Sequence, residues 1–401
     1  MSNRVAITGM GIISSIGMDL EENLNSLKNS RHGISKIEHI DTKLKDKILV
    51  GEIKKTNAEL ESILKLPQKN SWSRTSMIGT IAALEAINNA GIDVKDDADI
   101  GFINATTVGG MDMTERYFYD FIDDPENRRY IQSHDAGNNT HNICDYIGLN
   151  GFVTTISTAC SSAANAIMLG ARMISSGRLD KVIVGGTDAL SKFTMNGFNT
   201  LMILSDTYNT PFDENRKGLN LGEGAAYLVL ESERSYKKRN KNPIAYVAGY
   251  ANANDAFHQT ASSENGEGAF LAMKKAFEVA ELSPKDIDYI NVHGTATPNN
   301  DLSEGRAIIN LYNDSNDVPE FSSTKPFTGH TLAAAASIEA VFSIFALREG
   351  LIFPNLNFKE KMKEFDLTPV TKLAHKEVNT IVSNSFGFGG NCSSLIFTKS
   401  H

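Results

Sequence analysis

The sequence predicts an α/β protein made of two copies of one unit, its two sheets enclosing a central pair of buried helices with further helices outside. That is a five-layer arrangement, and three observations predict it. Strand and helix patterns alternate along the chain, which makes each half α/β. Similar segments recur roughly 170 to 190 residues apart, and self-similarity constrains a fold more than any single element does. Two segments, 161–173 and 331–347, hold a single charge each, Arg172 and Glu339. A surface helix has a polar side, so helices that are small and apolar on every face belong between layers.

The repeat is visible residue by residue. In the first half a helix from Ser71 to Ala90, with Ile78, Ile81, Ala82, Leu84 and Ile87 on its apolar face, stops at Gly91 and leads to a strand at Ile100–Thr106. In the second half a helix at Gly268–Val279 leads through Glu281-Leu282-Ser283 to a strand over Asp286–His293. Near the two ends, Gly222-Glu223-Gly224-Ala225 echoes Gly389-Gly390-Asn391-Cys392. The lysine-rich stretch Ser235–Lys241 is the linker candidate, dividing the chain into halves 1–241 and 242–401.

Taken in order, Val5–Thr8 opens the first strand and a tight turn follows at Gly9–Ser14. That turn nearly spells the dinucleotide fingerprint, but Ser14 replaces the third glycine and no convincing strand flanks Glu38. Helices are expected near Leu20–Lys28 and Asn57–Leu64, while residues 112–145 show no clean periodicity. A β-branched run ends at Cys160, where a helix of small residues begins, and a strand at Lys181–Val184 ends in Gly185-Gly186. A loop with Pro211-Phe212-Asp213 precedes the strand Ala226–Glu231.

Composition is that of a soluble globular protein, with 41% apolar and 22% charged residues. A net charge of −9 argues against nucleic acid as the main partner. Cys144, Cys160 and Cys392 lack CxxC spacing, so neither a disulfide framework nor a zinc site is expected, and a reducing cytoplasm fits. Met1–Gly17 lacks a basic leader and a cleavage site, and no uncharged run is long and apolar enough to span a bilayer.

Cys160 sits at a strand-to-helix junction, where the helix dipole favours thiolate and would bring its pKa toward neutrality. The alternative is a buried structural cysteine. Four further pieces carry chemistry: His293-Gly294-Thr295-Ala296-Thr297-Pro298, Ser323-Thr324-Lys325-Pro326-Phe327-Thr328-Gly329-His330, the pair Asp301 and Glu304 on one helix face, and Phe386-Gly387-Phe388-Gly389-Gly390. Each alone has an ordinary reading as a satisfied histidine, a solvated lysine or a turn. One cysteine and two histidines at strand ends or helix starts of matching halves are a stronger combination.

Those motifs, in this order and spacing, resemble the β-ketoacyl-acyl carrier protein synthases, the elongating condensing enzymes of fatty acid and polyketide synthesis. The resemblance runs from Ile7-Thr8-Gly9-Met10-Gly11 to Ser385-Phe386-Gly387-Phe388-Gly389-Gly390. It implies a thiolase-like fold, whose duplicated halves form a five-layer α-β-α-β-α sandwich, and usually a dimer. It further implies that Cys160 accepts an acyl group from acyl carrier protein or coenzyme A as a thioester. Malonyl carrier protein then loses carbon dioxide and the carbanion attacks that thioester. His293 and His330 would donate to the enolate oxygen, with His330 kept neutral by the dipole of the helix it starts. The N–H groups of Cys160 and Phe388 would form the oxyanion hole. Lys325 would support the histidines, with Asp301 and Glu304 as acidic partners. Thr295 and Thr297 would bind the phosphopantetheine arm, Phe388 would gate the acyl pocket, and the Asp255–Thr260 loop, ending at Thr260, would move with it. Lys65, Lys69, Arg128 and Arg129 are the candidates for docking an acidic carrier protein. No metal and no cofactor beyond the carrier's phosphopantetheine is implied, nor any membrane insertion.

The chain departs from the family's pattern in places. Asn391-Cys392 stand where Thr-Asn is usual, Thr331–Ala336 lacks glycines, and Lys217 replaces an aspartate. The segment 134–139 is more polar than the apolar stretch expected near the dimer interface and acyl tunnel. These departures point to polyene or polyketide synthesis rather than bulk membrane fatty acids. The partner subunit is either a second copy or a paralogue, as in a ketosynthase/chain-length-factor heterodimer of polyketide or aryl polyene synthesis. A non-catalytic partner would lack the nucleophile, which Cys160 argues against. A degradative thiolase using Cys392 as its second cysteine, and an oxidoreductase using Gly9–Ser14, are the remaining alternatives.

Overall fold

Ten strands, numbered along the chain, carry the architecture in a computed structural model that describes residues 5–95, 99–313 and 317–399. They are β1 Val5–Ser14, β2 Ile100–Ala105, β3 Phe152–Ile156, β4 Lys181–Asp188 and β5 Gly224–Glu231 in the first half. The second half has β6 Ala245–Asn254, β7 Tyr289–Asn291, β8 Glu320–Ser322, β9 Thr380–Gly387 and β10 Asn391–Thr398.

The first array runs β3-β2-β4-β5-β1 and the second β8-β7-β9-β10-β6, the same order by position in each half. Strand senses match too. β2 is parallel to β3 and β4, while β5 is antiparallel to β4 and β1. Likewise β7 is parallel to β8 and β9, while β10 is antiparallel to β9 and β6. The duplication is therefore topological as well as sequential. The two arrays were expected as separate sheets, yet three antiparallel pairs between β1 and β6, from Val5–Val247 to Ile7–Ala245, join them into one ladder.

Seven helices complete the layers: α1 Arg74–Ala90, α2 Ala136–Ile147, α3 Ser162–Ser175, α4 Lys192–Thr200, α5 Glu267–Ala280, α6 Pro298–Tyr312 and α7 Ala335–Glu349. α1 and α2 cover the outside of the first array, and α5 with α6 the outside of the second. α3 and α7 touch each other and strands of both arrays. Three hydrophobic clusters fill the gaps, one around Met77, Ile78 and Ile183, a central one around Ile167, Phe342 and Val184, and a third around Met273, Ile290 and Val382. Every residue of α7 from Ala335 to Leu347 is buried, which is why its sequence has no polar face. No helix of the described residues is long and apolar enough to cross a membrane.

Several local expectations fail. β1 does not turn at Gly9 but runs on to Ser14. Its glycines let α1 lie at backbone distance: a Cβ on Gly11 would stand 2.2 Å from the Ala82 carbonyl oxygen. No phosphate-cradling turn exists there. Gly185 and Gly186 lie inside β4 rather than ending it, because a Cβ on Gly185 would meet the Ala226 oxygen of β5 at 2.0 Å. The linker candidate is helical over Glu233–Lys238, capped by Ser232, and Arg239 holds buried Glu231 at 2.7 Å and the Gly91 carbonyl at 2.8 Å. Ile34–Lys36, where no strand was expected, pairs with Leu49–Gly51.

The aperiodic region 112–145 contains a helix at Met111–Tyr117, a 3-10 stretch at Pro125–His134, and α2. Its polarity is structural at one point at least, since buried Asn139 accepts from the hydroxyls of Ser73 and Ser76.

Gly11→Ala should lower stability by about 1–3 kcal/mol or more through overpacking. Gly197→Ala, inside α4 where an added Cβ would have nothing within 4 Å, should be neutral or raise stability by about 0.5–1 kcal/mol. Urea unfolding of the two variants checks both.

Candidate active site

β3 ends at Ile156, and the chain turns sharply before α3, with Ala159 at φ 53°. The turn is closed by its own side chains: Ser162 Oγ donates to the Ala159 carbonyl at 2.5 Å and accepts the Thr158 N–H at 2.8 Å. Asn165 Nδ2 donates to Thr158 Oγ1 at 2.8 Å. This turn puts Cys160 at 6% exposure, where the backbone N–H groups of Phe388 and Cys160 favour its thiolate. Gly387 makes the approach of the second loop feasible, because a Cβ there would lie 2.9 Å from Cys160 N.

The thiol is not shifted toward neutrality as the helix dipole suggested. Burial pushes it up to about 11, aided by Asp188, against the Lys325 ammonium and the two N–H groups. A local dipole acts on one turn, whereas complete desolvation removes the whole hydration of the thiolate.

His293 follows β7 by two residues, and its ring and that of His330 stand 5.4 Å apart at 85°. Lys325 Nζ donates to His293 Nδ1 at 3.2 Å, to the His293 carbonyl at 2.6 Å and to Glu339 Oε1. An ammonium cannot accept, so Nδ1 is unprotonated and the ring proton is on Nε2. The Leu332 N–H donates to His330 Nδ1 at 3.2 Å, fixing the same tautomer there. Both imidazoles are held well below the usual histidine range, first by burial and then by Lys325, with each other's proximity adding at His293. His330 is neutral as expected, but burial rather than the helix dipole is the main cause.

Asp301 and Glu304 lie on the first turns of α6 and shape the loop that carries His293. Glu304 accepts the His293 and Gly294 N–H groups, both at 2.8 Å, and burial pushes its carboxyl up to about 7. Asp301 accepts from Phe212 N at 2.8 Å and Thr295 N at 3.1 Å.

Two cavities meet at Cys160. The first, about 390 Å³, is lined by Cys160, His293, His330, Thr295, Thr297 and Thr260, among others. The second, about 360 Å³ and largely apolar, is lined by Val108, Phe193, Phe198, Leu201 and Leu332 as well as Cys160. Phe388 borders both, stacked on Phe198 with ring centres 5.7 Å apart. The Phe388 loop is tied to the 255–260 loop by Gly389 N to Gln259 O and Asp255 N to Gly390 O, each 2.8 Å. Cys392 also lines the first cavity, its thiol pushed up to about 12 by burial.

Lys325, Asp301 and Glu304 stand behind this lining. Lys65, Lys69, Arg128 and Arg129 line neither cavity: Lys69 pairs with Glu126 at 3.6 Å, Arg128 reaches the Phe121 and Ile122 carbonyls, and Arg129 lies over Tyr130. Among the described residues no cluster of three or more His, Cys, Asp or Glu could hold a metal ion. Sequence reasoning missed Glu339, the buried counter-charge of Lys325, and the buried carboxylate of Asp188. For Glu339 a signal existed, since a lone carboxylate in a helix buried all round requires a partner.

Residues 2–235 match the model of the β-ketoacyl synthase N-terminal domain, and residues 244–359 that of its C-terminal domain. The chain is 34% identical to 3-oxoacyl-[acyl-carrier-protein] synthase 2 of Staphylococcus aureus (strain N315) over 410 residues, 99% of each chain. It is 31% identical to the Vibrio cholerae protein of the same name, again over 99% of each. Its fold superposes on the ishigamide ketosynthase/chain length factor with a TM-score of 0.93 at 29% identity, covering 100% of both chains. A β-ketoacyl synthase from Burkholderia phymatum gives 0.87 at 27%, also over 100% of both.

Lys325→Met should cost about 3–5 kcal/mol by leaving Glu339 buried and unpaired, whereas Lys325→Met with Glu339→Leu should cost less. Urea denaturation of the single and double variants measures the difference.

Proposed function

As the chain belongs to the β-ketoacyl synthase family, we propose that it extends an acyl chain held as a thioester on Cys160 by decarboxylative condensation with a malonyl group on acyl carrier protein. The observation that carries the residue assignment is the convergence, where two cavities meet, of one thiol, two N–H groups and two imidazoles fixed as Nε2–H donors.

In the first step the Cys160 sulfur attacks the acyl carbonyl, and the carrier's thiol leaves as the Cys160 thioester forms. The Cys160 and Phe388 N–H groups stabilise the oxyanion. The acyl chain lies in the apolar cavity, which requires Phe388 to turn off Phe198. In the second step the carboxylate of the malonyl group leaves as carbon dioxide, and its bonding pair becomes an enolate. Nε2–H of His293 and of His330 donate to the enolate oxygen. Both rings are neutral, so they stabilise charge as it develops without adding a proton to the carbon. The enolate carbon then attacks the thioester, releasing a 3-oxoacyl carrier and the Cys160 thiolate, which takes a proton from water to restore the thiol.

Thr295 and Thr297, whose hydroxyls are 2.9 Å apart on the first cavity's wall, suit the amide-bearing phosphopantetheine arm. No other cofactor is needed for this chemistry. The three free cysteines accord with a reducing cytoplasm.

A second subunit would cover β3, an edge strand that is half-exposed along its length with Phe152 at 40%. The likeness to ketosynthase/chain length factor structures favours a paralogous partner and a polyene or polyketide product over a homodimer making membrane fatty acids. Halves 1–241 and 242–401 are the units of the duplication.

Intact-mass analysis with acyl carrier thioesters should show one adduct, lost in Cys160→Ala. His293→Ala and His330→Ala should each slow malonyl decarboxylation by about 10²–10³, and acylation of Cys160 by much less. No adduct with any donor would overturn the reading. Charge reversal at Lys65, Lys69, Arg128 and Arg129 should weaken turnover of carrier thioesters but spare coenzyme A thioesters; equal loss would remove these four from the docking surface.

A further inference from the structure

β4 ends in Asp188, a fully buried carboxylate that the condensation mechanism does not use. It accepts from five neutral donors. Four lie just after β2: Thr106 Oγ1 at 2.5 Å, Thr107 Oγ1 at 2.6 Å, Thr107 N at 3.1 Å and Val108 N at 3.2 Å. The fifth comes from the other half of the molecule, Ala333 N at 2.9 Å. Ala333 belongs to the 3-10 turn Leu332–Ala334 that follows His330.

Leu332 is the residue between His330's neighbour and Ala333, and it sits at φ 53°, a conformation that a leucine adopts only when its surroundings hold it there. Its N–H is the donor that holds His330 Nδ1. We propose that Asp188 is a positioning residue for His330. By gripping Ala333 N it keeps Leu332 in the left-handed conformation, which keeps the Leu332 N–H on Nδ1 and so aims the Nε2 proton into the cavity.

Three further observations support this. The Asp188 charge opposes ionisation of the Cys160 thiol, so the carboxylate does not assist that group. The first array approaches the turn closely enough that a Cβ on Gly186 would lie 3.1 Å from the Ala333 carbonyl oxygen. Leu332 and Val108, both set by the Asp188 bonds, also line the apolar cavity, so one carboxylate couples the wall of that cavity to the histidine. The arrangement parallels the other imidazole, where Glu339 backs Lys325 and Lys325 holds His293 Nδ1.

The inference rests on the reading of His330 as an enolate donor, so the wild-type protein is tested first for Cys160 acylation and malonyl decarboxylation. Failure of both in the wild type sinks that reading. With the wild type active, Asp188→Asn should slow decarboxylation by about 10²-fold and acylation by a much smaller factor, because the Cys160 and Phe388 N–H groups do not depend on the turn. Asp188→Glu, which keeps the charge but displaces its oxygens, should give an intermediate loss with the same bias, and serves if the amide prevents folding. Nitrogen-15 NMR adds a readout that a loss of packing alone would not move. Wild-type His330 should show an unprotonated Nδ1, and the Asn variant a mixture of tautomers. Equal loss of the two steps in whichever variant folds, or a protonated Nδ1 in the wild type, overturns the role of Asp188 while leaving the function intact.

Discussion

The ammonium of Lys325 is 2% exposed, with three protons to place and no lone pair to offer. His293 Nδ1, the His293 carbonyl and Glu339 take them. A buried cation is costly unless a counter-charge and full hydrogen bonding accompany it, and Glu339 supplies the first while His293 completes the second. Because the ammonium only donates, His293 is left neutral with its proton on Nε2. The tautomer is thereby set by an ion pair that lies behind the cavity wall. Glu339 is on α7, so this pair also demands that a helix pass through the middle of the molecule between the two arrays.

The layered fold brings the chemistry together by one rule applied twice. In each half the three mutually parallel strands end on the same side. Thr107 and Cys160 follow β2 and β3, and Asp188 ends β4; His293, Lys325 and Phe388 follow β7, β8 and β9. Functional groups beyond the carboxyl ends of parallel strands are general to open α/β sheets. Here duplication makes two such edges and folds them onto one site. Neither half holds both Cys160 and the two histidines.

Backbone strain is also found at this place. Ala159, Ala296 and Leu332 all have positive φ without being glycine, and each lies within three residues of Cys160, His293 or His330. Such positions cost about 1–3 kcal/mol each. They persist because buried hydrogen bonds over-determine the turns: Ser162 at the first, Asp301 and Glu304 at the second, Asp188 at the third. Polar contacts among buried groups hold these turns, and burial is also what keeps both histidines neutral and the thiol protonated.

Much of this was legible in the chain itself. The motifs at Cys160, His293 and His330, the repeat, and the charge-poor helices are local patterns of residue type and spacing, and local patterns survive without coordinates. The tertiary structure decided what depends on surroundings. Gly9 and Gly11 look like a turn until α1 is laid across them, and the polarity of 134–139 has no evident purpose until Asn139 meets Ser73 and Ser76. The thiol of Cys160 was expected near neutrality because a helix dipole can be read from one turn. Its rise to about 11 comes from desolvation by both halves at once. Glu339 and Asp188 find their partners 14 and 145 residues away, at separations where nothing in residue spacing records which side chains will meet in the interior.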